Sequence, residues 1–518
     1  MRIFFLITLS LFICIPTVFS QDSLGLKTVI RNPPIRFFAE LAASASSSHQ
    51  TPFWLRTNQF GTVPNTAPFL TARAGIQAGY VGKNNKMGWG YGFEGVSTIA
   101  AKSVLLVPEA YVKGKWGAFE LLVGRRREII GLADSTAVGS GSYSWSGNAL
   151  PMPKIQVSLA DYTPIGFTKG LIAFRGVYAH GWFDNQGPVT HSYLHQKALY
   201  GRIGKPDWPV RFYGGLNHQV QWAGRSTVIT GDDVIKNGRF PTGFTNYLNA
   251  ITGLSLAAKG DAVDTTEYSK NDRGNRVGNH LGTVDVGLEI IRKSFTLLFY
   301  RQSIYEDGSL YYLTNLADGL NGVRFRNKKP PTQNWQIQTA VVEFLFTKSQ
   351  GGSVFSTENK KRGSDNYFNH GQYIDGWSYG GRTIGTPFIT PAVDAKPDLP
   401  RSYKEQLLFF TNNNRVRVMH LGLVGSFRST YIFQLKGSLS DNYGTYSQPF
   451  PERARQFSSL ISVSFPVTWL ERAQATVMMA SDLGKLYTNR TGIYFSLRKN
   501  WLGHCPKQRI DANQSAPN

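Results

Sequence analysis

The sequence predicts an all-β fold, a transmembrane antiparallel β-barrel, and three observations carry that prediction. Segments of about ten residues alternate apolar and polar side chains with a period of two, longer than the strands usual in soluble sheets. Aromatic residues gather near the ends of these segments, among them Trp182, Trp222 and Trp501, as in the girdles that mark membrane interfaces. Short connections alternate with long polar ones. The negative mean hydropathy of −0.24 excludes a helical membrane protein but suits a barrel, where half of each strand faces water.

Residues 1–20 read as a secretory signal peptide. Arg2 is the basic start, Ile3 to Ile15 the apolar run, and Val18-Phe19-Ser20 a cleavage site before Gln21. Phe12 and Ile13 are not the small residues that a lipoprotein site at Cys14 prefers. Cys505 is the other of two cysteines, which leaves no disulfide framework and no cysteine metal site, and no cofactor is expected. No later stretch has the roughly 18 continuous apolar residues of a spanning helix. The expected location is the outer membrane of a Gram-negative cell.

The formal charge of +23 favours polyanionic partners. Export argues against nucleic acid. Acidic capsular or extracellular polysaccharide and the phosphate-rich lipopolysaccharide surface fit better, with many basic residues simply lining aqueous loops and rims.

Residues 21–70 read as an N-terminal segment, periplasmic or plugging the barrel. Within it Ile35 to Ala45 suggests a short helix, and Pro52-Phe-Trp-Leu-Arg56 precedes a Gly/Pro-rich turn region. Residues 71–501 carry the barrel pattern. Gly90-Tyr-Gly-Phe-Glu-Gly95 matches the dinucleotide fingerprint formally. No helical pattern follows it, and its glycines alternate with aromatics, so it reads as strand. Phe119, Leu121 and Val123 oppose Glu120, Leu122 and Gly124. That strand runs into Arg125, Arg126, Arg127 and Glu128, then a Gly/Ser loop containing Trp145. Three adjacent cations need anions or water around them, which places this stretch at a barrel rim or lumen.

The same alternation recurs through Val210 to Gln221, Val284 to Ile290, Ala340 to Phe346, Tyr431 to Leu439 and Arg472 to Met479. The tally is roughly sixteen to eighteen strands. Polar stretches at about 223–280, 302–334 and 348–405 read as extracellular loops. Phe244 to Leu256 has helical spacing and is expected to fold back into the barrel mouth. Thr491 to Trp501 is the last strand, and 502–518 a periplasmic tail.

Motifs for chemistry are weak. His191 and His195 have helical metal spacing but no third ligand. Asp232-Asp233 and Asp261/Asp264 lack the ordered spacing of a calcium loop. Gly376-Trp-Ser378-Tyr-Gly380 matches the nucleophile elbow without its strand and helix. The expectation is a protein that is not an enzyme. Asp365, Asn366, Tyr367, Asn369, His370, Tyr373, Trp377 and Tyr379 mix flat rings with hydroxyl-binding groups, as sugar sites do. Lys360, Lys361 and Arg362 beside them suit uronic acid or phosphate. Arg324, Arg326, Lys328 and Lys329 form a second basic group of the same kind.

Pro52-Phe-Trp-Leu-Arg56, Val123-Gly-Arg-Arg-Arg-Glu-Ile-Ile-Gly131, the run Gly141 to Lys154, Tyr178-Ala-His-Gly-Trp182, Leu194-His-Gln-Lys197 and Tyr213 to Val220 together resemble the capsule assembly protein Wzi family. The resemblance spans most of the mature chain. It implies an outer-membrane barrel of about 18 strands with a small helical portion at the periplasmic end. It further implies a monomeric, non-enzymatic lectin that holds exported capsular polysaccharide on the cell. It supplies no motif that places the sugar-binding residues.

The first reading is therefore an outer-membrane protein that anchors polysaccharide through its loops, where many weak contacts along a polymer add up. The second is a porin or substrate-selective channel for anionic solutes. A lumen filled by the N-terminal segment and inward loops favours the first, and an open one the second. A third reading, a barrel lipase or acyltransferase, needs a nucleophile and base within reach, with Ser378 the candidate.

Overall fold

The computed structural model describes residues 35–503 apart from 85, 136–137, 257–265, 307, 357–361 and 405. The signal peptide, most of the C-terminal tail, Lys360, Lys361, Asp261 and Asp264 lie outside the described residues. No described helix is long and apolar enough to cross a membrane.

The barrel strands are β1 (Ile35–Ser46), β2 (Phe69–Asn84), β3 (Met87–Ile99), β4 (Val104–Trp116), β5 (Phe119–Arg125), β6 (Lys154–Pro164), β7 (Ile172–Trp182), β8 (Tyr193–Ile203) and β9 (Val210–Trp222). They continue as β10 (Asn279–Ile291), β11 (Phe295–Glu306), β12 (Gly319–Asn327), β13 (Gln336–Phe346), β14 (Val416–Phe427), β15 (Tyr431–Gly444), β16 (Pro449–Val467), β17 (Ala473–Gly484) and β18 (Arg490–Gly503). Each pairs antiparallel with its neighbours in the chain, in one 18-stranded sheet. β1 then pairs with β18, with Arg36 opposite Leu502 and Ser46 opposite Gly492, which closes the barrel. Closure leaves the 18-stranded sheet no open edge strand among the described residues, as a bilayer requires.

The alternation sets the two faces. Phe119, Leu121 and Val123 stand on the outer wall, each about half exposed, whereas Glu120 and Leu122 are buried on the lumen side. Both barrel termini lie at one end, joined there by short turns; all the long connections lie at the other. This is the arrangement of an outer-membrane barrel with periplasmic turns and extracellular loops. Trp89, Trp116, Trp335, Trp469 and Trp501 are exposed at the periplasmic end as an aromatic girdle.

Three expectations are corrected. Ile35 to Ala45 is strand, not helix: Phe38, Glu40, Ala42 and Ser44 face the lumen and Leu41 faces out at 66% exposure. Its alanines mimic helix, but the partners that fix it lie at the far end of the chain. The barrel therefore starts well before residue 71. The stretch 302–334 is not one extracellular loop, because it contains the end of β11 and all of β12. The expected mouth helix, α2 after the single-turn α1 (Phe53–Arg56), is Gly243–Thr252 and lies on the outer wall instead. There Tyr247 packs on His180, His195 and Trp222 of the outward faces of β7 to β9. Lys197 donates to the Ile251 carbonyl, capping the negative end of this helix.

Candidate functional site

Three extracellular connections, 47–68, 126–153 and 347–415, turn inward and pack as one plug. Its apolar centre includes Phe53, Trp54, Ile130, Tyr143, Met152, Tyr367, Phe368, Trp377 and Phe388, all buried. The segments are stitched to one another through backbone. Trp377 Nε1 donates to the Ser144 carbonyl at 2.8 Å, the Thr386 N–H to the Tyr143 carbonyl at 2.8 Å, and Asn58 Nδ2 to the Ser140 carbonyl at 2.9 Å.

The plug is also bonded to the lumen wall on most sides. On one side Thr62 accepts from Arg73 of β2, and Arg127 pairs with Glu94 of β3 at 2.7 Å. The Arg127 N–H donates to Glu109 of β4, and Arg126 pairs with Glu120 of β5 at 2.8 Å. Across the lumen Asn217 of β9 donates to Ser144, Asp285 of β10 accepts from the Leu132 N–H, and Gln302 of β11 donates to Ser142. Glu343 of β13 accepts from the Ser140 N–H at 2.6 Å. His420 of β14 bonds the Val138 carbonyl, Ser438 of β15 accepts from Trp54 Nε1, and Asp482 of β17 accepts from the Phe53 N–H. Buried polar groups keep their cost low only when partnered, so this perimeter fixes the plug in one position.

The consecutive arginines take separate roles. Arg125 donates to Tyr379 Oη at 2.9 Å, while Arg126 and Lys154 flank Glu128 at 2.5 and 2.6 Å. Burial alone would raise the Glu128 carboxyl; Lys154 and Arg126 outweigh it and hold it at about 2. The Lys154 ammonium also sits over the Trp145 ring.

The expected sugar loop is the plug's interior. Tyr367 Oη donates to Asp318, and Asp365 accepts from Ser309 at 2.6 Å. Asn366 accepts from Asn414, and Asn369 exchanges bonds with the backbone of Thr411. Tyr373 stacks on Phe240 and donates to the Ala223 carbonyl. His370 Nδ1 accepts from the N–H of Gln372 and Tyr373, and burial with Lys404 nearby pushes the ring down to about 4, so it is neutral. Tyr367, Tyr373 and Trp377 are at most 1% exposed, so their faces offer no stacking surface. Arg362 is half-buried, its guanidinium over Phe355. Arg324 and Arg326 are lumen-side residues of β12 near the periplasmic end, not loop residues, and both approach Asp134. A cavity of about 540 Å³ beneath the plug is lined by Arg127, Arg175, Arg324, Glu128, Asp134 and Glu289.

On the extracellular side a cleft of about 340 Å³ separates the connection 183–192 from the plug. Its polar lining is Asp184, Gln186, Ser192, Gln221, Asp375 and Ser378, beside Phe183, Pro188, Phe409 and Phe410. Gln221, 2% exposed, donates through Nε2 to Ser192 but leaves its buried Oε1 without a partner among the described residues. Asp375 accepts from the Val189 N–H, and Asp184 from the Gly380 N–H. Burial, with Asp184 nearby, pushes the Asp375 carboxyl up to about 6. Hydroxyl-binding carboxylates beside flat apolar rings suit a sugar ring, and the volume is within the range of small-ligand pockets. Sequence reasoning missed this cleft, because its groups come from strand β9 and two connections far apart in the chain.

The remaining motifs dissolve. His191 lies in a turn bonded by Arg225, and His195 is on the outer face of β8. Asp232 pairs with Lys236 at the surface. Ser378 Oγ donates to the Asp375 carbonyl. No three His, Cys, Asp or Glu among the described residues are grouped to hold a metal.

Among solved structures the chain is similar to Wzi of Escherichia coli, described as an outer-membrane, carbohydrate-binding β-barrel involved in group 1 capsule assembly. The TM-score is 0.54 at 11% identity, over 89% of this chain and 83% of that one. It is also similar to OprD of Pseudomonas aeruginosa, with TM-score 0.46, 6% identity and coverage of 90% and 94%. OccK5 of the same organism gives 0.44, 9%, and 90% and 98%. No family model and no curated protein matches the chain. At these identities the likeness establishes the fold: this is an outer-membrane β-barrel.

Proposed function

We propose that this barrel binds extracellular polysaccharide and retains it at the cell surface, as the Wzi family resemblance implies, without carrying out covalent chemistry. The observation that carries the reading is the plug. Its bonds to β2 to β5, β9 to β11, β13 to β15 and β17 hold it inside the lumen that an anion channel would need open. A retention protein needs no passage, only a fixed outer surface on which weak contacts to a repeating polymer accumulate. The proposed contact is the cleft at Asp184, Gln221 and Asp375, since the expected ring loop is buried. Among the described residues its lining contains carboxylates and no cation, so the sugar it suits is neutral or amino-bearing.

The test is titration of purified protein with oligosaccharides from the surface polymer of its own cells. Wild type is expected to bind, and Asp184→Asn with Asp375→Asn to bind about tenfold more weakly, a loss of about 1.4 kcal/mol. No binding by folded wild type, together with steady anion current through planar bilayers, would transfer the assignment to the channel reading.

A further inference from the structure

The outer wall carries a second charged feature that neither the plug nor the cleft uses. At the extracellular ends of β14, β15 and β16, Arg417, Asp441 and Arg455 are direct cross-strand neighbours in one row. Arg417 Nη2 is 2.5 Å from Asp441 Oδ2, Arg455 Nε is 3.0 Å from Oδ1, and Arg453 Nε is 3.5 Å from Oδ1. Three guanidinium groups thus share one carboxylate. Asp441 is almost covered at 6% side-chain exposure, whereas the arginines stand 45%, 46% and 53% exposed. The carboxylate satisfies one edge of each cation and leaves the cluster with a net positive charge facing outward.

The next residues on the same outward face, two positions along each strand, are Met419, Leu439 and Phe457, with Leu421 and Ile461 beyond. They are 42–57% exposed and belong to the apolar belt. Two residues of strand span about 7 Å, so the cations sit immediately above the hydrocarbon boundary of the outer leaflet. A ligand that reaches both features must carry acyl chains and anionic groups within that distance. Guanidinium forks match phosphate oxygens in geometry and charge, and desolvation at the membrane interface strengthens such bonds.

We propose that Arg417, Arg453 and Arg455 form a binding site for the phosphate groups of an outer-leaflet glycolipid, with Asp441 as the positioning residue that holds the forks in place. The site is distinct from polymer retention in position and in ligand. A soluble acidic polymer touches the cations but not the belt, which is why the amphiphile is the favoured occupant.

The experiment uses the full chain in detergent micelles and two probes, lipid A with its phosphates and the same lipid after their removal. Wild type is expected to bind the phosphorylated form at least about tenfold more tightly. Arg417→Gln, Arg453→Gln and Arg455→Gln together are expected to abolish that difference while the barrel keeps its heat-modifiable migration on gels. Single Arg453→Gln, which leaves the Arg417–Asp441–Arg455 row intact, serves if the triple variant fails to fold and is expected to narrow the difference. Equal affinity for the two lipids overturns the proposal. So does equally tight displacement of the phosphorylated lipid by inorganic phosphate or by the cell's soluble polysaccharide, which marks a general anion site.

Discussion

Lys154 Nζ lies 2.6 Å from Glu128 Oε2, tying the first residue of β6 to the start of the 126–153 connection of the plug. Arg126 holds the other oxygen of the same carboxylate at 2.5 Å, so the plug's entry is clamped by two cations on one anion. Removing a partner from a buried pair costs roughly 3–5 kcal/mol, because the remaining charge stays desolvated. Lys154→Ala is expected near the low end, since Arg126 still serves Glu128. The readout is the temperature at which the folded barrel loses its compact gel migration; an unchanged temperature contradicts the clamp.

The same carboxylate sets an acid limit. The Glu128 carboxyl falls from an ordinary 4.5 to about 2 in the folded protein. A depressed carboxyl contributes stability above its unfolded value and loses it as pH falls towards its folded one. Plug stability is therefore expected to decline between about pH 4.5 and 2, and to decline less in Glu128→Gln. Hydrogen exchange of the 126–153 amides measures this, and identical profiles for the two proteins contradict it.

Trp377 and Tyr367 make opposite predictions under the two views of the 365–379 stretch. As buried plug residues, they act through packing: Trp377→Ala costs roughly 3–5 kcal/mol. Trp377→Phe, which keeps most of the ring volume but loses the 2.8 Å bond to Ser144, costs about 1 to 3 kcal/mol. Polysaccharide affinity per folded molecule is expected to stay constant in Trp377→Phe. A tenfold loss of affinity with unchanged stability restores the stacking role.

The raised carboxyl of Asp375 gives the cleft a pH signature. Ionised carboxylates accept stronger hydrogen bonds from hydroxyl groups than neutral acids do. Sugar binding is expected to strengthen as pH rises through about 6, and the dependence to vanish in Asp375→Asn. Titrations at pH 5 and pH 7 decide it, and a flat wild-type profile counts against Asp375 as a contact.

Much of the barrel was legible because a period of two is a local signal, visible in stretches such as Phe119 to Val123. β1 was not, since its alanines satisfy either pattern and its pairing partner, as in Arg36 opposite Leu502, lies at the far end of the chain. β12 was hidden by Arg324 and Arg326, lumen residues that give a strand the polarity of a loop. The 347–415 part of the plug was illegible for a related reason, whereas 47–68 and 126–145 fell within stretches already read as plug, rim or lumen. Asp365, Asn366 and Asn369 look solvated in sequence, yet their partners Ser309, Asn414 and Thr411 arrive from elsewhere in the chain. The cleft depends on Gln221, Asp184 and Asp375 meeting in space, which no spacing encodes.

Polymer retention is tested most directly by deleting the gene and dividing surface polysaccharide between cell pellet and medium. The account predicts unchanged total polymer with a large shift into the medium. It also predicts restoration by wild type but not by Asp184→Asn with Asp375→Asn. An unchanged division, with reduced uptake of small anionic solutes, would contradict it.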